Sequence, residues 1–400
     1  MPGLESLLTF DEAQARVVER ARALPAERVA VAAAAGRVVA EDVRALVDLP
    51  PFASSAMDGF AVRSDDLPGA LRVVGESAAG SPFAGELGPG EAVAISTGGV
   101  VPAGSDAVAQ VEIVGRTDNG IEVPEALAAG VNVRPRGGDV RAGEVVVARG
   151  TRVGPAHVAA AAAAGVASLS CARRPRVAVV ATGSELVPPG HELEAGQVYE
   201  ANGAMLAAAL AAAGADVVSV ETVGDDAEAL RAVLARALEA DALVTSGGVS
   251  VGEHDLVRAV ERELGVEEVF WRIAMRPGKP LAFGMRGATL VFGLPGNPVS
   301  ALVGCELFVK PALRALQGLA DPLPVFEPGV LTEPLRRNGE RDDFVRARTR
   351  RDESGILLEP VRGQQSHMIA RSSAADALVH VPRGNGELAA GSPVSWLRLY

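Results

Sequence analysis

Several residue types are scarce in this 400-residue sequence. Aromatic residues make up only 4%, so the hydrophobic cores must be built from Val, Leu and Ala. Two cysteines, Cys171 and Cys305, fit a reducing compartment. The five histidines are scattered and neither HExxH nor CxxC occurs, which argues against a permanent zinc site.

Long apolar runs and an excess of positive charge are also absent. The Ala-rich run at 158–164 is bounded by His157 and Gly165 and is too short to cross a bilayer. No basic segment followed by an apolar one opens the chain, so no signal peptide is predicted. A net charge of −12 argues against a nucleic-acid surface. We expect a cytoplasmic protein with no membrane or nucleic-acid partner, in which cations or a metal hold any anionic substrate locally.

Three common catalytic motifs are missing as well. The chain contains no GxxxxGK[ST] phosphate loop, no GxGxxG after a strand with an acid downstream, and no GxSxG nucleophile elbow. Any site here is therefore expected to work by positioning and charge compensation.

The pattern along the chain predicts a multidomain protein of the α/β plus β class. A TxxE capping box (Thr9, Glu12) opens a helix that runs to Leu24, and a second helical stretch is expected around 38–46. Short strands separated by Gly-rich turns follow up to Val133. From 176, strands and helices alternate, which predicts a doubly wound, mostly parallel sheet. The proline-rich segment 321–329 is read as a linker to a second β domain.

Small, hydroxyl and acidic residues follow four strands of the predicted α/β domain. They are Thr182, Gly183, Ser184 and Glu185 after the first strand, Asp225 and Asp226 after the second, SGGVSVGEHD (246–255) after the third, and Pro295 to Ser300 after the last. Since ligands bind beyond the carboxyl ends of parallel strands, these residues are candidates for one site. For Asp225 and Asp226, a simple helix N-cap remains an equal alternative.

The segment SGGVSVGEHD combines glycines, which favour an anion, with acids, which would repel one. Gly247, Gly248 and Gly252 let the backbone approach an anion closely, whereas Glu253 and Asp255 would repel it. Mg²⁺ held by the acids would reconcile the two. Arg276 and Lys279 in AMRPGKPLAFG would add cations for a phosphate, although this turn also fits an ordinary charged hairpin.

Six segments in order resemble the signatures of one family. They are PPFASSAMDGFAVR, STGGVVPAGSDAV, ATGSEL, SGGVSVGEHD, RPGKPLAFG and FGLPGNPVSA. The chain resembles the molybdopterin molybdenumtransferases of the MoeA type, a family that includes the E domain of gephyrin. The resemblance covers essentially the whole chain.

This resemblance implies a domain organisation and an activity. It implies a homodimer in which residues 1–48 and 134–174 form a discontinuous elongated domain of helical and mixed structure, 49–133 an inserted β domain, 175–320 the α/β molybdopterin-binding domain, and 321–400 a C-terminal β barrel. The implied reaction inserts molybdate into adenylylated molybdopterin, with Mg²⁺-dependent cleavage of the pyrophosphate linkage and release of AMP. The molybdopterin adenylyltransferase is a further candidate partner.

The resemblance also implies site residues. The catalytic set is Asp58, Thr97, Glu185, Asp225 and Asp255, of which Glu185, Asp225 and Asp255 would hold the metal. The substrate and phosphate set is Thr182, Gly183, Ser184, Ser246, Gly247, Gly248, Ser250, Arg276, Lys279, Pro295, Asn297 and Pro298. Asp58 and Thr97 lie in the β domain that faces the partner subunit in this family. Asp139 matches a further acid, although RPRGGD departs from the family pattern before it, and Arg276 stands where the family often has Lys.

Three other functions fit parts of the sequence. The molybdopterin adenylyltransferase shares the α/β domain but is much shorter, and a nicotinamide-nucleotide or ADP-ribose hydrolase would lack the SAMDGFAVR and LPGNPVSA segments. A scaffold function, as in gephyrin, would need no catalysis at all.

Overall fold

The computed structural model describes residues 7–248, 256–353 and 355–399. The chain divides into two compact units. The first comprises Met1–Glu27, Gly36–Ala40 and Cys171–Tyr400, and the second comprises Arg28–Ala35 and Glu41–Ser170.

The helical segments are short. The α-helices are α1 (Phe10–Arg20), α2 (Pro155–Ala163), α3 (Asn202–Ala212), α4 (Ala227–Ala237), α5 (Leu256–Glu263), α6 (Pro298–Gly304), α7 (Lys310–Leu316) and α8 (Ile369–Ser372). Short 3₁₀ turns occupy Val31–Ala33, Ser64–Asp66 and Val111–Ile113, and a π-helical turn, Cys305–Val309, joins α6 to α7. No helix among the described residues is long and apolar enough to cross a membrane.

The strands are numbered in chain order. They are β1 (Ala26–Ala30), β2 (Val43–Arg44), β3 (Ser54–Ser55), β4 (Gly59–Val62), β5 (Gly69–Ser77), β6 (Glu91–Ile95), β7 (Ala107–Gln110), β8 (Gly115–Thr117), β9 (Gly120–Val123), β10 (Val133–Arg134), β11 (Val145–Val147), β12 (Ser168–Ala172), β13 (Arg176–Thr182), β14 (Leu186–Val187), β15 (Val198–Tyr199), β16 (Asp216–Val223), β17 (Ala242–Ser246), β18 (Glu267–Trp271), β19 (Met275–Arg276), β20 (Ala282–Arg286), β21 (Thr289–Leu294), β22 (Glu327–Leu331), β23 (Leu335–Arg336), β24 (Asp342–Asp352), β25 (Gly355–Pro360), β26 (Ala377–Val381), β27 (Glu387–Leu388) and β28 (Pro393–Arg398).

The first unit contains the predicted doubly wound sheet, with strand order β16-β13-β17-β21-β20-β18. The strands β16, β13, β17 and β21 are parallel, and β20 and β18 add an antiparallel edge. Alternate residues of β13 point to opposite faces: Val177 and Val179 pack in the core with α3, whereas Ala178 and Val180 pack in the core with α4 and α5. Helices thus cover both faces, as the continuous apolar strands require.

A closed barrel follows in the same unit. The five strands β24, β25, β22, β28 and β26 pair in a ring, because β26 also pairs with β24. Trp396 is fully buried in the barrel core. The fold class predicted from the sequence is confirmed here, with the α/β sheet and the barrel in one chain.

The second unit is built mainly from β structure. Its largest sheet has the order β7-β4-β6-β5-β9-β8 and forms a half-barrel. One face buries a core that includes Phe60, Leu71 and Ile121, and the other buries Val93 and Ile95. The helix α2 and the pairs β3–β10 and β2–β11 complete this unit.

One predicted element is wrong. The stretch 38–46 is not a helix, because β2 pairs with β11 and Val39 forms a bridge with Cys171. Val38, Val39 and Val43 are buried β-branched residues, which suit extended backbone better than helix. The predicted N-terminal helix is present and Thr9 and Glu12 form the expected capping box, but the helix ends at Arg20 and not at Leu24.

Candidate functional site

The first unit has a topological switch point beside β13. The chain leaves β13 for β16 on one side and then returns to β17 on the other, so the loops after β13 and β17 diverge at the carboxyl edge. A crevice forms at such a point in open α/β sheets. The loop beginning at Gly183 and the loop beginning at Gly247 border this crevice, as the sequence predicts.

Two glycines after β17 are sterically required. Gly247 has a φ of +100°, and a Cβ there would lie 2.4 Å from the carbonyl oxygen of Thr182. Gly248 has a φ of +66°, and its Cβ would lie 2.2 Å from a methyl carbon of Val257. A side chain at position 247 would therefore collide with the end of β13, and one at position 248 with α5, and both positions have a backbone conformation that favours glycine. The hydroxyl of Thr182 beside them is buried and has no hydrogen-bond partner among the described residues.

The two adjacent acids after β16 have different roles. Asp226 accepts a hydrogen bond from the N–H of Ala229 (2.7 Å) and is the N-cap of α4. Asp225 instead joins two strand ends: its Oδ2 accepts hydrogen bonds from the Ser184 hydroxyl (2.8 Å) and N–H (3.3 Å), and its own N–H donates to the Ser184 hydroxyl (2.9 Å). The helix-cap alternative thus holds for Asp226 and not for Asp225.

Asn202 is a site residue that the sequence analysis missed. It is the first residue of α3, and its Nδ2 donates to the Ser246 hydroxyl (2.8 Å) and to the Gly296 carbonyl (2.7 Å). The amide therefore joins the loops after β17 and β21. The only local signal for this residue in the sequence is that it is polar and begins a helix, directly after Tyr199, Glu200 and Ala201.

These strand ends line a cavity of about 720 Å³. Its described lining includes three acids, Glu185, Glu200 and Asp225, and no Lys or Arg. The predicted residues that line it are Thr182, Gly183, Glu185, Asp225, Ser246, Gly247, Gly248, Pro295, Asn297 and Pro298. Ser184 lies beside it through its bond to Asp225. Ser250 and Asp255 lie outside the described residues.

A second cavity of about 660 Å³ adjoins the first, and the two share Pro280, Pro295, Asn297 and His367. Three cations line it: the predicted Arg276 and Lys279, and Arg341, which the sequence analysis missed. The rest of its polar lining comes mainly from Ser300 and from the barrel residues Asp343, Gln364, Gln365 and Ser366.

Arg276 does not belong to a simple charged hairpin. The strand β19, which contains it, pairs with β24 of the barrel and not with β20. Its guanidinium forms an ion pair with Asp343, whose side chain is only 3% exposed. Burial raises the pKa of Asp343, although the Arg276 guanidinium opposes this by favouring the carboxylate. The Oδ1 atom of Asp343 is buried and accepts no hydrogen bond from the described residues.

The predicted residues of the second unit form a separate constellation. The N–H of Thr97 donates to Oδ1 of Asp58 (2.7 Å), so these two residues lie together. The N–H of Asp139 donates to the Leu49 carbonyl (2.9 Å), and this acid is exposed.

The predicted metal ligands lie partly within the described residues. Among residues 7–248, 256–353 and 355–399, no group of three His, Cys, Asp or Glu side chains is arranged to hold a metal ion. Two of the three predicted ligands, Glu185 and Asp225, line the same cavity, and the third, Asp255, lies outside those ranges. Both hydrogen bonds that Asp225 accepts end on Oδ2, which leaves Oδ1 without a partner in the described chain. Two carboxylates facing one cavity fit a hard divalent cation such as Mg²⁺.

Three family models match consecutive parts of the chain. Residues 8–165 match the MoeA N-terminal region (domain I and II), residues 178–315 match a probable molybdopterin binding domain, and residues 328–399 match the MoeA C-terminal region (domain IV). Together these matches extend over most of the chain.

Proteins similar to this chain align with it over nearly all of both sequences. A molybdopterin molybdenumtransferase of Haemophilus influenzae is 36% identical over 97% of this chain and 98% of its own. Molybdopterin molybdenumtransferase 2 of Mycobacterium tuberculosis is 39% identical over 96% of this chain and 98% of its own. The crystal structure of the molybdopterin biosynthesis MoeA protein of Pyrococcus horikosii superposes with a TM-score of 0.84, at 32% identity, over 99% of this chain and 100% of that one. The chain belongs to the MoeA family of molybdopterin molybdenumtransferases, enzymes of molybdenum cofactor biosynthesis.

Proposed function

We propose that this enzyme inserts molybdate into adenylylated molybdopterin, with Mg²⁺-dependent cleavage of the pyrophosphate linkage and release of AMP. The observation that supports this most directly is the pair of adjoining cavities with opposite charge. Acids line the first and cations line the second, and the two share four lining residues. Such a pair suits a metal-bound pyrophosphate next to a free oxyanion.

The first cavity would hold the pyrophosphate and the groups attached to it. Gly247 and Gly248 line this cavity and have no side chain, so a phosphate can approach their backbone closely. Thr182 lines the same cavity, and its hydroxyl has no hydrogen-bond partner among the described residues. Glu185 and Asp225, with Asp255, would hold Mg²⁺, which when bound offsets the charge of the pyrophosphate.

The second cavity would hold molybdate. Lys279 and Arg341 supply positive charge, and Arg276 supplies a guanidinium that is already oriented by Asp343. An oxyanion there would lie beside Pro295 and Asn297, which also line the first cavity. Holding both reactants in adjoining pockets converts an encounter of two molecules into a reaction within one complex. Electrostatic stabilisation of the leaving AMP would supply much of the remaining rate enhancement.

Two further predictions belong to this proposal. Asp58 and Thr97 would act from the second unit, and a homodimer would allow the partner subunit to provide them. The cytoplasmic location and the molybdopterin adenylyltransferase as a partner stay predictions from the sequence.

The test compares two adjacent acids. Asp225→Asn keeps the shape of the side chain but removes a charge from the proposed metal site, so Mg²⁺-dependent AMP release should fall about 100-fold or more. Asp226→Asn is the matched control, since Asn is as good an N-cap as Asp and this residue does not line the cavity. AMP and cofactor would be quantified with purified protein, adenylylated molybdopterin, molybdate and Mg²⁺. Wild-type turnover that needs neither molybdate nor Mg²⁺ would refute the proposed reaction.

A further inference from the structure

Arg346 is a fully buried cation that the proposed reaction does not use. It lies on β24 with 1% of its surface exposed and lines neither cavity. Its Nη1 donates to the Met368 carbonyl (3.0 Å) and the Ser372 hydroxyl (2.5 Å), and its Nη2 donates to the carbonyls of Gly363 (2.8 Å) and Gln365 (3.3 Å). All four acceptors are neutral.

Burying a guanidinium among neutral groups costs more free energy than burying an apolar side chain. Burial lowers the pKa of Arg346, because the charged form loses its hydration. The hydrogen bonds offset this cost, and the planar fork of a guanidinium fixes the directions of several acceptors at once. All four acceptors belong to residues 363–372, so the side chain acts on one short stretch of chain.

The main chain at position 346 holds the same stretch. The N–H of Arg346 donates to Oε1 of Gln364 (3.1 Å), and its carbonyl accepts from Nε2 of Gln364 (2.8 Å) and from the N–H of Val361 (2.9 Å). The side chain and the main chain of Arg346 therefore hold the segment between β25 and β26 at several points from Val361 to Ser372.

This loop is the wall between the two cavities. We define the wall segment as residues 363–369. Gln364, Gln365 and Ser366 line the second cavity, Ile369 lines the first, and His367 lines both. Ser366 also attaches the segment to the α/β domain, because its carbonyl accepts the N–H of Val299 (3.0 Å) in α6.

We propose that Arg346 is the positioning residue that fixes the wall segment, and that it thereby sets how strongly this shared wall couples binding of the oxyanion to binding of the nucleotide. The identity of the two ligands rests on the proposed function. A wall shared by two sites must be ordered for either ligand to bind. The first ligand to bind therefore meets the cost of ordering it, and the second binds more tightly. Loosening Arg346 should weaken oxyanion binding and strengthen the coupling, because the first ligand then meets a larger ordering cost.

The test uses Arg346→Lys in the full-length protein. Lysine keeps the positive charge but replaces the planar fork with three donors on one nitrogen, so at least one of the four hydrogen bonds is lost and the others cannot keep their geometry. Amide hydrogen exchange would be followed at Met368 and Ile369, whose N–H groups bond within the wall segment, and at Val299. We expect exchange at these amides to be about tenfold faster, and the Kd for molybdate to rise about tenfold. Molybdate would be titrated with and without AMP, and the effect of AMP on its Kd should grow, because the variant leaves a larger ordering cost to the first ligand.

Arg350→Lys is the matched control, because Arg350 lies exposed on the same strand. It should leave exchange and both affinities unchanged. If Arg346→Lys does not fold, Ser372→Ala keeps the guanidinium and removes one acceptor, and should give the same changes at smaller amplitude. Folded Arg346→Lys protein with wild-type exchange at the three amides would overturn the positioning role. Faster exchange with unchanged molybdate affinity would overturn the coupling.

The two proposals can fail separately. If wild-type protein binds no molybdate, the proposed function and the coupling both fail. The hydrogen-exchange comparison does not involve a ligand, so it would still decide whether Arg346 holds the wall segment.

Discussion

Single side chains connect parts of this site that no backbone pairing joins. Asn202 is the clearest case, since its two hydrogen bonds end on Ser246 and on Gly296, which follow different strands. Asp225 plays a similar part between the ends of β13 and β16 through Ser184. Removal of one such side chain changes the spacing of two loops, and so its effect on ligand binding should exceed its effect on stability.

Asn202→Ala should weaken binding in the first cavity. Both hydrogen bonds are lost and the Ser246 hydroxyl and Gly296 carbonyl lose a partner, so the Kd for AMP should rise about tenfold. Isothermal titration with AMP would measure this. Asn385→Ala is the control, since that residue is exposed in the loop between β26 and β27. Equal affinities for the two variants would show that Asn202 does not shape the cavity.

Asp343 should make stability depend on pH. Burial raises its pKa above the ordinary 3.8, so the folded protein binds this proton more tightly than the unfolded chain does. Its contribution to the free energy of unfolding is therefore greatest at low pH, falls as pH rises past 3.8 towards the folded-state pKa, and is constant above that value. Asp343→Asn removes the dependence. Urea unfolding from about pH 4 to pH 8 should show wild type losing stability relative to the variant. The opposite slope would mean that the Arg276 ion pair outweighs burial.

At the scale of elements, the long helical run after β21 contains an irregularity with a local cause. Pro311 has no N–H and cannot donate to the carbonyl of Leu307 four residues earlier. The π-helical turn Cys305–Val309 lies at this point. Nε2 of Gln14, a buried residue of α1, donates to the Leu307 carbonyl (2.6 Å). The amphipathic N-terminal helix thus supplies the donor that the proline lacks.

Gln14→Leu should destabilise the protein by about 1–3 kcal/mol, because it leaves a buried carbonyl without its donor. Chemical unfolding of the two proteins would measure the difference. Pro311→Ala in the Gln14→Leu background offers an N–H at the missing position and should recover part of the loss. No recovery would indicate that lost packing of the Gln14 side chain, and not the carbonyl, accounts for the effect.

At the scale of the whole molecule, the proposed catalytic residues fall in two units. Glu185 and Asp225 line a cavity of the unit that contains the α/β sheet, whereas Asp58 and Thr97 belong to the other. The proposed homodimer would bring them together between subunits. In such a dimer every active site needs residues from both chains.

Mixed dimers test this arrangement. Asp58→Ala and Asp225→Asn proteins should each be inactive alone. Co-expressed in equal amounts, half of the dimers would be mixed, and one of their two sites would be intact, so about a quarter of wild-type AMP release should return. The control is a mixture of the separately purified proteins assayed before their subunits exchange. Activity no higher than that of either parent in proven mixed dimers would place both acids on one chain.

Much of this fold can be predicted from the sequence, because the relevant signals are local. The capping box at Thr9 and Glu12 and the alternation of apolar strands and helices from 176 onward need only near neighbours. The carboxyl ends of parallel strands meet at one edge in any such sheet, which is why Thr182, Asp225 and Ser246 could be grouped in advance. The stretch 38–46 was predicted wrongly because its strand pairing is made with residues about a hundred positions away.

The sequence by itself determined the family, the alternating α/β pattern and the strand-end residues, since each depends on motifs or periodicity within a few residues. Only the tertiary structure decided that barrel residues such as Arg341 and Asp343 face Arg276, and that Arg346 holds the wall between two cavities. Those contacts join positions far apart in the chain. Which residues meet there depends on how the barrel packs on the sheet, and no local sequence pattern determines that packing.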